Sequence, residues 1–190
     1  MTSPPFVTPP DPNPKTPKYS IPAGACDCHF HVFDGPSPPI ASRSYSAHAA
    51  PLSAYRSVQK TLGLDRSVIV QPSIYGTDNR TTMNAVSQDG SMKAIVVVGD
   101  QTRKEDLKAL AARGAVGARL NLMFSQAARV EMLFSLTSAM ADLGWHIQIL
   151  ADVSKTPDLM PLVRTLPVPV VFDHMGHVQA RSGVDDPGFQ

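Results

Sequence analysis

The sequence predicts an α/β fold built on a parallel sheet, and three observations carry that expectation. Short runs rich in Val and Ile recur along the chain, mostly continuous rather than alternating, as strands buried on both faces are. Segments with helical apolar spacing lie between them. The strand starts fall roughly 20 to 40 residues apart, which leaves room for a crossover helix each time.

Taken in order, the strand candidates are Ala25–Phe30, Ser67–Gln71, Ala94–Val98, Val116–Leu120, His146–Leu150 and Val168–Asp173. Among the helices, Leu52–Leu62 puts Leu52, Tyr55, Val58 and Leu62 on one stripe. Asn79–Gln88 has the weakest pattern. Arg103–Arg113 repeats Leu107, Leu110 and Ala111 and stops at Gly114, while Ala128–Leu143 carries Val130, Leu133, Phe134, Leu136 and Met140 and stops at Gly144. Asp158–Leu166 is short, with Pro157 at a favoured first-turn position. One strand followed by five helix–strand units fits either an open doubly wound sheet or a barrel, and composition does not separate the two.

Residues 1–22 form a different region. Eight prolines (Pro4, Pro5, Pro9, Pro10, Pro12, Pro14, Pro17 and Pro22) fix φ and remove donors, so this stretch is expected to be a flexible leader outside any sheet or helix. It lacks the apolar core of a secretory signal. The remaining chain, 23–190, is expected to form one domain. With 43% hydrophobic and 17% charged residues the full sequence can bury a core. A formal net charge of +1 offers no footprint for nucleic acid or an anionic membrane, so neither is expected as a partner. Cys26 and Cys28 are too close in sequence for an unstrained bridge. They fit a reducing compartment, and a cytoplasmic location is expected.

Four clusters carry chemistry. Asp27-Cys28-His29-Phe30-His31 ends the first strand, where period-two alternation predicts Asp27, His29 and His31 on one face. Two imidazoles so spaced suit a divalent metal or a polar cradle for a carbonyl. Asp173-His174-Met175-Gly176-His177 follows the sixth strand; His174 is the expected site residue and His177 a surface histidine. The run Gln71 to Asn79 leads a strand into a polar loop, where Ser73, Tyr75 and Asn79 are candidate ligand-orienting groups and Asp78 an N-cap. Arg119, with Asn121, sits at a buried strand tip and is either a carboxylate clamp or half of a structural ion pair. Trp145 and His146 open the fifth strand on the side away from such a site, and His48 has no evident partner.

These motifs, with Leu143-Gly144-Trp145-His146, stand in the order found in the amidohydrolase-related lactonases, which the chain resembles over roughly residues 22 to 190. The resemblance implies a (β/α)8 TIM barrel, here with about six β/α units, and hydrolysis of a lactone such as 2-pyrone-4,6-dicarboxylate. By the same resemblance His29, His31 and His174 are catalytic, and Ser73, Tyr75, Asn79, Arg119 and Asn121 bind a small lactone or carboxylate substrate. A cofactor-free enzyme is expected, because Gln148 to Asp152 lacks the lysine or histidine ligand that metal-dependent relatives carry; a zinc ion held by His29, His31 and His174 is the alternative. The family's general base, an aspartate after an eighth strand, has no counterpart, since Asp152 and Asp173 lie on other strands. A truncated barrel with impaired activity and self-association across open edges is therefore expected. The rival readings are a sugar-lactone hydrolase or isomerase, and a non-catalytic barrel fragment that only binds a ligand or partner.

Overall fold

The computed structural model describes residues 4–123 and 131–190. The described strands are β1 (Cys26–Phe30), β2 (Arg66–Val70), β3 (Met92–Val96), β4 (Ala115–Asn121), β5 (His146–Leu150) and β6 (Val170–Phe172). Between them lie α1 (Leu52–Leu62), α2 (Arg80–Val86), α3 (Lys104–Ala112), α4 (Met132–Ala141) and α5 (Leu159–Val163). This is the succession of an α/β protein of the (β/α)8 barrel class.

The chain divides into two compact units. The first comprises residues 1–96 and 112–115, the second 97–111 and 116–190. In the first, β1, β2 and β3 are neighbours in that order and all parallel. In the second, β4, β5 and β6 follow the same rule. Neither unit contains the reversal of strand order that marks a doubly wound sheet.

Most strand expectations are met within two residues, and β5 and α1 match in full. β6 is shorter because Pro167 and Pro169 flank its start; Pro169 supplies only its carbonyl, which accepts from the Ile147 N–H at 3.0 Å. In α5 it is Pro161, not Pro157, that occupies the first turn. There a missing N–H costs nothing, because no carbonyl lies a turn earlier to accept it. The expected start of α4, Ala128 to Val130, lies outside the described residues.

Each unit has its own apolar core. Ile69, Val70, Met83 and Ile95 are fully covered in the first unit, where α2 packs on β2 and β3. Leu133, Met140, Ile147 and Ile149 are covered in the second, where α4 packs on β5. Gly114 shows why a glycine ends the α3 segment. Its φ is +102°, a Cβ would meet Val86 Cγ1 at 2.8 Å, and its carbonyl accepts from Ala94 N–H.

The leader needs one correction. Phe6 makes an isolated parallel bridge to Ser46, with Val7 N–H donating to the Ser46 carbonyl at 2.9 Å and Ser46 N–H to the Pro5 carbonyl at 2.8 Å. The reason is local: Phe6 and Val7 interrupt the prolines, so Val7 keeps a donor, while Pro5 loses its N–H but not its acceptor. His48 accordingly has a neighbour, the Phe6 ring at 4.8 Å. No described helix is long and apolar enough to cross a membrane.

Candidate functional site

In the first unit, the β1 register slips. Asp27 pairs with Ser67 but Phe30 pairs with Ile69, three steps on one strand against two on the other. An extra residue of this kind is a β-bulge, and it reverses which face the following side chains use. Phe30 consequently stacks on Tyr55 of α1, ring centroids 3.4 Å apart. Asp27 lies on that same α1 side: after burial itself, its charge is the next cause pushing the Tyr55 phenol up. The expectation that Asp27 shares a face with His29 and His31 is therefore wrong, because the bulge breaks the alternation on which it rested.

The bulge leaves the two histidines together. Their rings stand edge to face, centroids 5.1 Å apart. His31 Nδ1 lies 2.7 Å from the carbonyl oxygen of Val70, the last residue of β2. A carbonyl only accepts, so Nδ1 carries a proton; Nε2 is then an acceptor in the neutral ring and a second donor in the imidazolium. The His29 backbone N–H donates to Asp27 Oδ1 at 3.0 Å.

The polar loop after β2 is held by Gln71, which has no exposed surface. Its Nε2 donates to the carbonyls of Gly76 (3.2 Å) and Asp78 (2.9 Å), and its Oε1 accepts from Thr82 Oγ1 at 2.5 Å. The short 3-10 turn Ser73–Tyr75 sits at the head of this loop. Ser73 Oγ donates to the Tyr45 phenol oxygen at 3.5 Å. Tyr75 is buried; burial first, then Asp34 and Tyr45, push its phenol up, so it is a neutral donor at pH 7. Phe33 lies between them, 6.4 Å from the Tyr45 ring and 6.5 Å from Tyr75. Tyr45 and Phe33 escaped the sequence reading because they stand in a loop with no periodic signal; their nearness in sequence to His31 is the one hint.

Asn79 takes a local role. It holds the N-cap position of α2, and its Nδ2 donates to the Thr77 carbonyl at 3.0 Å. The expected cap residue, Asp78, stands one position earlier and is bound by Arg80, whose Nη2 is 2.6 Å away. That hydrogen-bonded partner holds the Asp78 carboxyl down at about 2.

In the second unit, Arg119 Nε donates to Asp173 Oδ2 at 2.7 Å, and the two side chains are 5% and 2% exposed. Of the two readings open for Arg119, the ion pair is present. It uses one of five guanidinium N–H groups. Asn121 is buried, its Oδ1 accepting from Met123 N–H at 3.1 Å. Gln148, opposite Arg119 in the β4–β5 register, is also buried. Asp152 is held by Ser154 and Lys155.

Beyond Asp173 the backbone turns left-handed: φ is +52° at His174, +55° at Met175, +67° at Gly176 and +55° at His177. The turn is pinned by Val153 N–H donating to the Gly176 carbonyl at 2.9 Å. It leaves His174 exposed and brings its ring within 5.2 Å of His177. His177 is not the surface histidine expected. Its Nε2 is buried without a hydrogen bond to any described residue, and desolvation, then the His174 charge, push it down.

A divalent metal would need a ligand set. In the first unit, His31, oriented through Nδ1, is fit to ligate and His29 stands beside it, which makes two donors where a catalytic zinc takes three. In the second, the Asp173 carboxylate is already neutralised by a buried guanidinium, Asp152 is committed, and β5 ends in Leu150 and Ala151. Among the described residues, neither unit by itself supplies a conventional metal centre.

The family model described as amidohydrolase matches residues 26–190. A 2-pyrone-4,6-dicarboxylate hydrolase of Comamonas testosteroni is 32% identical over 93% of the chain and 60% of its own length. A 4-sulfomuconolactone hydrolase of Hydrogenophaga intermedia is 31% identical over 91% and 59%. Among solved structures, a probable 2-pyrone-4,6-dicarboxylic acid hydrolase of Acinetobacter baumannii with citric acid bound superposes with a TM-score of 0.80 at 29% identity, covering 88% of this chain and 64% of that one. The chain thus spans about three-fifths of the length of the curated relatives it matches.

Proposed function

Because the chain belongs to the amidohydrolase family, we propose that it serves the hydrolytic opening of a lactone of a small dicarboxylic acid, with 2-pyrone-4,6-dicarboxylate the first substrate to test. The observation that carries this reading is the edge-to-face pair of His29 and His31, with His31 locked through Nδ1 by the Val70 carbonyl. In the reaction, water attacks the ester carbonyl carbon, the carbonyl oxygen gains negative charge, and the ring C–O bond then breaks; the leaving ring oxygen takes up a proton from the attacking water to become a hydroxyl, and the new carboxylic acid ionises to a carboxylate. Imidazolium rings fixed in advance, His31 donating from Nε2 while Nδ1 stays on the Val70 carbonyl, stabilise that oxygen without reorganising at the moment of reaction. His31 and His29 are assigned to this task, and His174, carried out on its exposed turn, is assigned with them.

Substrate carboxylates fall to Arg119, through the donors that Asp173 does not take, and to the hydroxyls of Ser73 and Tyr75. Asn79 and Asn121 shape the loops on which these stand. Asp173 and Asp152 are both engaged with cations and are poor candidates for the general base. Amidohydrolases often use a divalent metal. The donor sets described above do not complete one in either unit, and no step is assigned to it.

The test is the loss of pyrone absorbance with the purified chain, with and without added Zn2+, beside 4-sulfomuconolactone as a second lactone. Turnover is expected to fall about 10²–10³-fold in His31→Ala, the effect of removing one donor to a developing oxyanion. Equal rates for His31→Ala and wild type, or folded protein inert to both lactones, would overturn the reading.

A further inference from the structure

The bulge in β1 assigns Asp27 a task that neither family membership nor spacing suggests. In a regular strand Asp27, His29 and His31 would all face α1, and Phe30 would face the other way. The slip between Asp27 and Phe30 adds one residue, so Asp27 and Phe30 both turn toward Tyr55 and the imidazoles turn away from it. A bulge of this kind is rare between parallel strands and interrupts the ladder at its extra residue. Here the His29 amide donates to Asp27 Oδ1 at 3.0 Å. The Tyr55 hydroxyl and Ser67 Oγ are both buried on the α1 side.

We infer that Asp27 is a positioning residue: its carboxylate accepts the His29 N–H, holds the bulge in register, and so sets the face on which His29 and His31 are presented. It acts through His29 and His31 and touches no substrate itself. Phe30 on Tyr55 supplies the apolar half of the same brace, and the hydrogen bond supplies the directional half. This inference deepens the lactonase reading and rests on it only for its effect on rate.

Two variants separate position from charge. Asp27→Asn keeps an oxygen acceptor at Oδ1 and loses the charge, whereas Asp27→Ala loses both. The primary readout is independent of lactone turnover: the His29 backbone amide and the imidazole 1H–15N resonances of His29 and His31, assigned by the His29→Gln and His31→Gln spectra. In wild type the His29 amide is expected to be protected from hydrogen exchange, which an unbonded amide is not. Asp27→Ala is expected to lose that protection and to shift the His29 imidazole, leaving His146 in place. Asp27→Asn is expected to retain both signatures.

An unprotected His29 amide in wild type would overturn the inference, as would unchanged His29 resonances in folded Asp27→Ala. Should Asp27→Ala fail to fold, Asp27→Asn decides: His29 signatures displaced as far as those of His31→Gln count against the inference, and wild-type signatures support it. If wild type turns over a lactone, kcat in Asp27→Ala is expected to drop roughly 10-fold or more with KM little changed, the pattern of a misplaced group. Absence of turnover in wild type counts against the lactonase reading and leaves the spectroscopic test intact.

Discussion

His29–His31 in the first unit and His174–His177 in the second are presented by opposite devices. The first pair rests on a bulged strand held by hydrogen bonds, the His29 amide donating to Asp27 and the His31 Nδ1 proton to the Val70 carbonyl. The second pair rests on a turn of four consecutive positive φ values, three of them at residues with a Cβ. Left-handed backbone costs such residues roughly 1–2 kcal/mol each. The difference teaches that a fold can aim an imidazole either by satisfying hydrogen bonds or by storing strain, and that strain must be held down by something rigid. In the second unit that anchor is the Arg119–Asp173 pair immediately before the turn and the Val153–Gly176 hydrogen bond within it.

The comparison breaks most sharply at the anchor. Arg119→Met strands the Asp173 carboxylate in the interior and is expected to cost about 3–5 kcal/mol by urea denaturation, the penalty of an uncompensated buried charge. The double variant Arg119→Met, Asp173→Leu should recover most of it. A single-variant loss below about 1 kcal/mol would show that the pair anchors nothing.

A smaller effect is expected inside the turn. Gly176→Ala places a Cβ 2.8 Å from Val153 Cγ2 at φ +67° and should lose about 1–3 kcal/mol in the same assay. The converse change relieves strain. Met175 is 73% exposed, so Met175→Gly gives up little packing; it should gain about 0.5–1 kcal/mol, the left-handed cost less the entropy of a glycine in the unfolded chain. A loss on Met175→Gly would mean that the turn is not strained.

The smallest effect is one of pH. His177 and His146 are both pushed down, in each case by burial first. The unfolded chain then binds more protons than the folded one below the ordinary histidine value of 6.5, so stability rises with pH. The contribution is fully present above 6.5 and is lost as pH falls through the lowered folded values. Denaturation midpoints followed downward from neutral pH should decline, and His177→Gln should flatten the decline.

What could be read from the chain beforehand follows the same divide. Strands and helices with a strong apolar pattern are legible: the pattern bounds β5 and α1 residue for residue. The failures lie where periodicity stops. A bulge is one residue of slip in an otherwise regular strand and leaves no trace in the pattern, so strict alternation puts Asp27 on the wrong face. The partner of Arg119 is 54 residues away in sequence, and composition alone does not connect a strand tip to a residue that distant. The left-handed turn holds only one glycine among four residues, so its usual signature was diluted. Tyr45 and Phe33 stand in an aperiodic loop.

Gln71 has a consequence of another kind. One amide group bridges the carbonyls of Gly76 and Asp78 and the hydroxyl of Thr82, so the segment that bears Ser73 and Tyr75 is tied at both ends to the interior. Its path is inherited from the core. A descendant of this chain that acquires a different acid as substrate must do so by exchanging side chains on a fixed rail, one position at a time, because rerouting the rail would first require Gln71 to go.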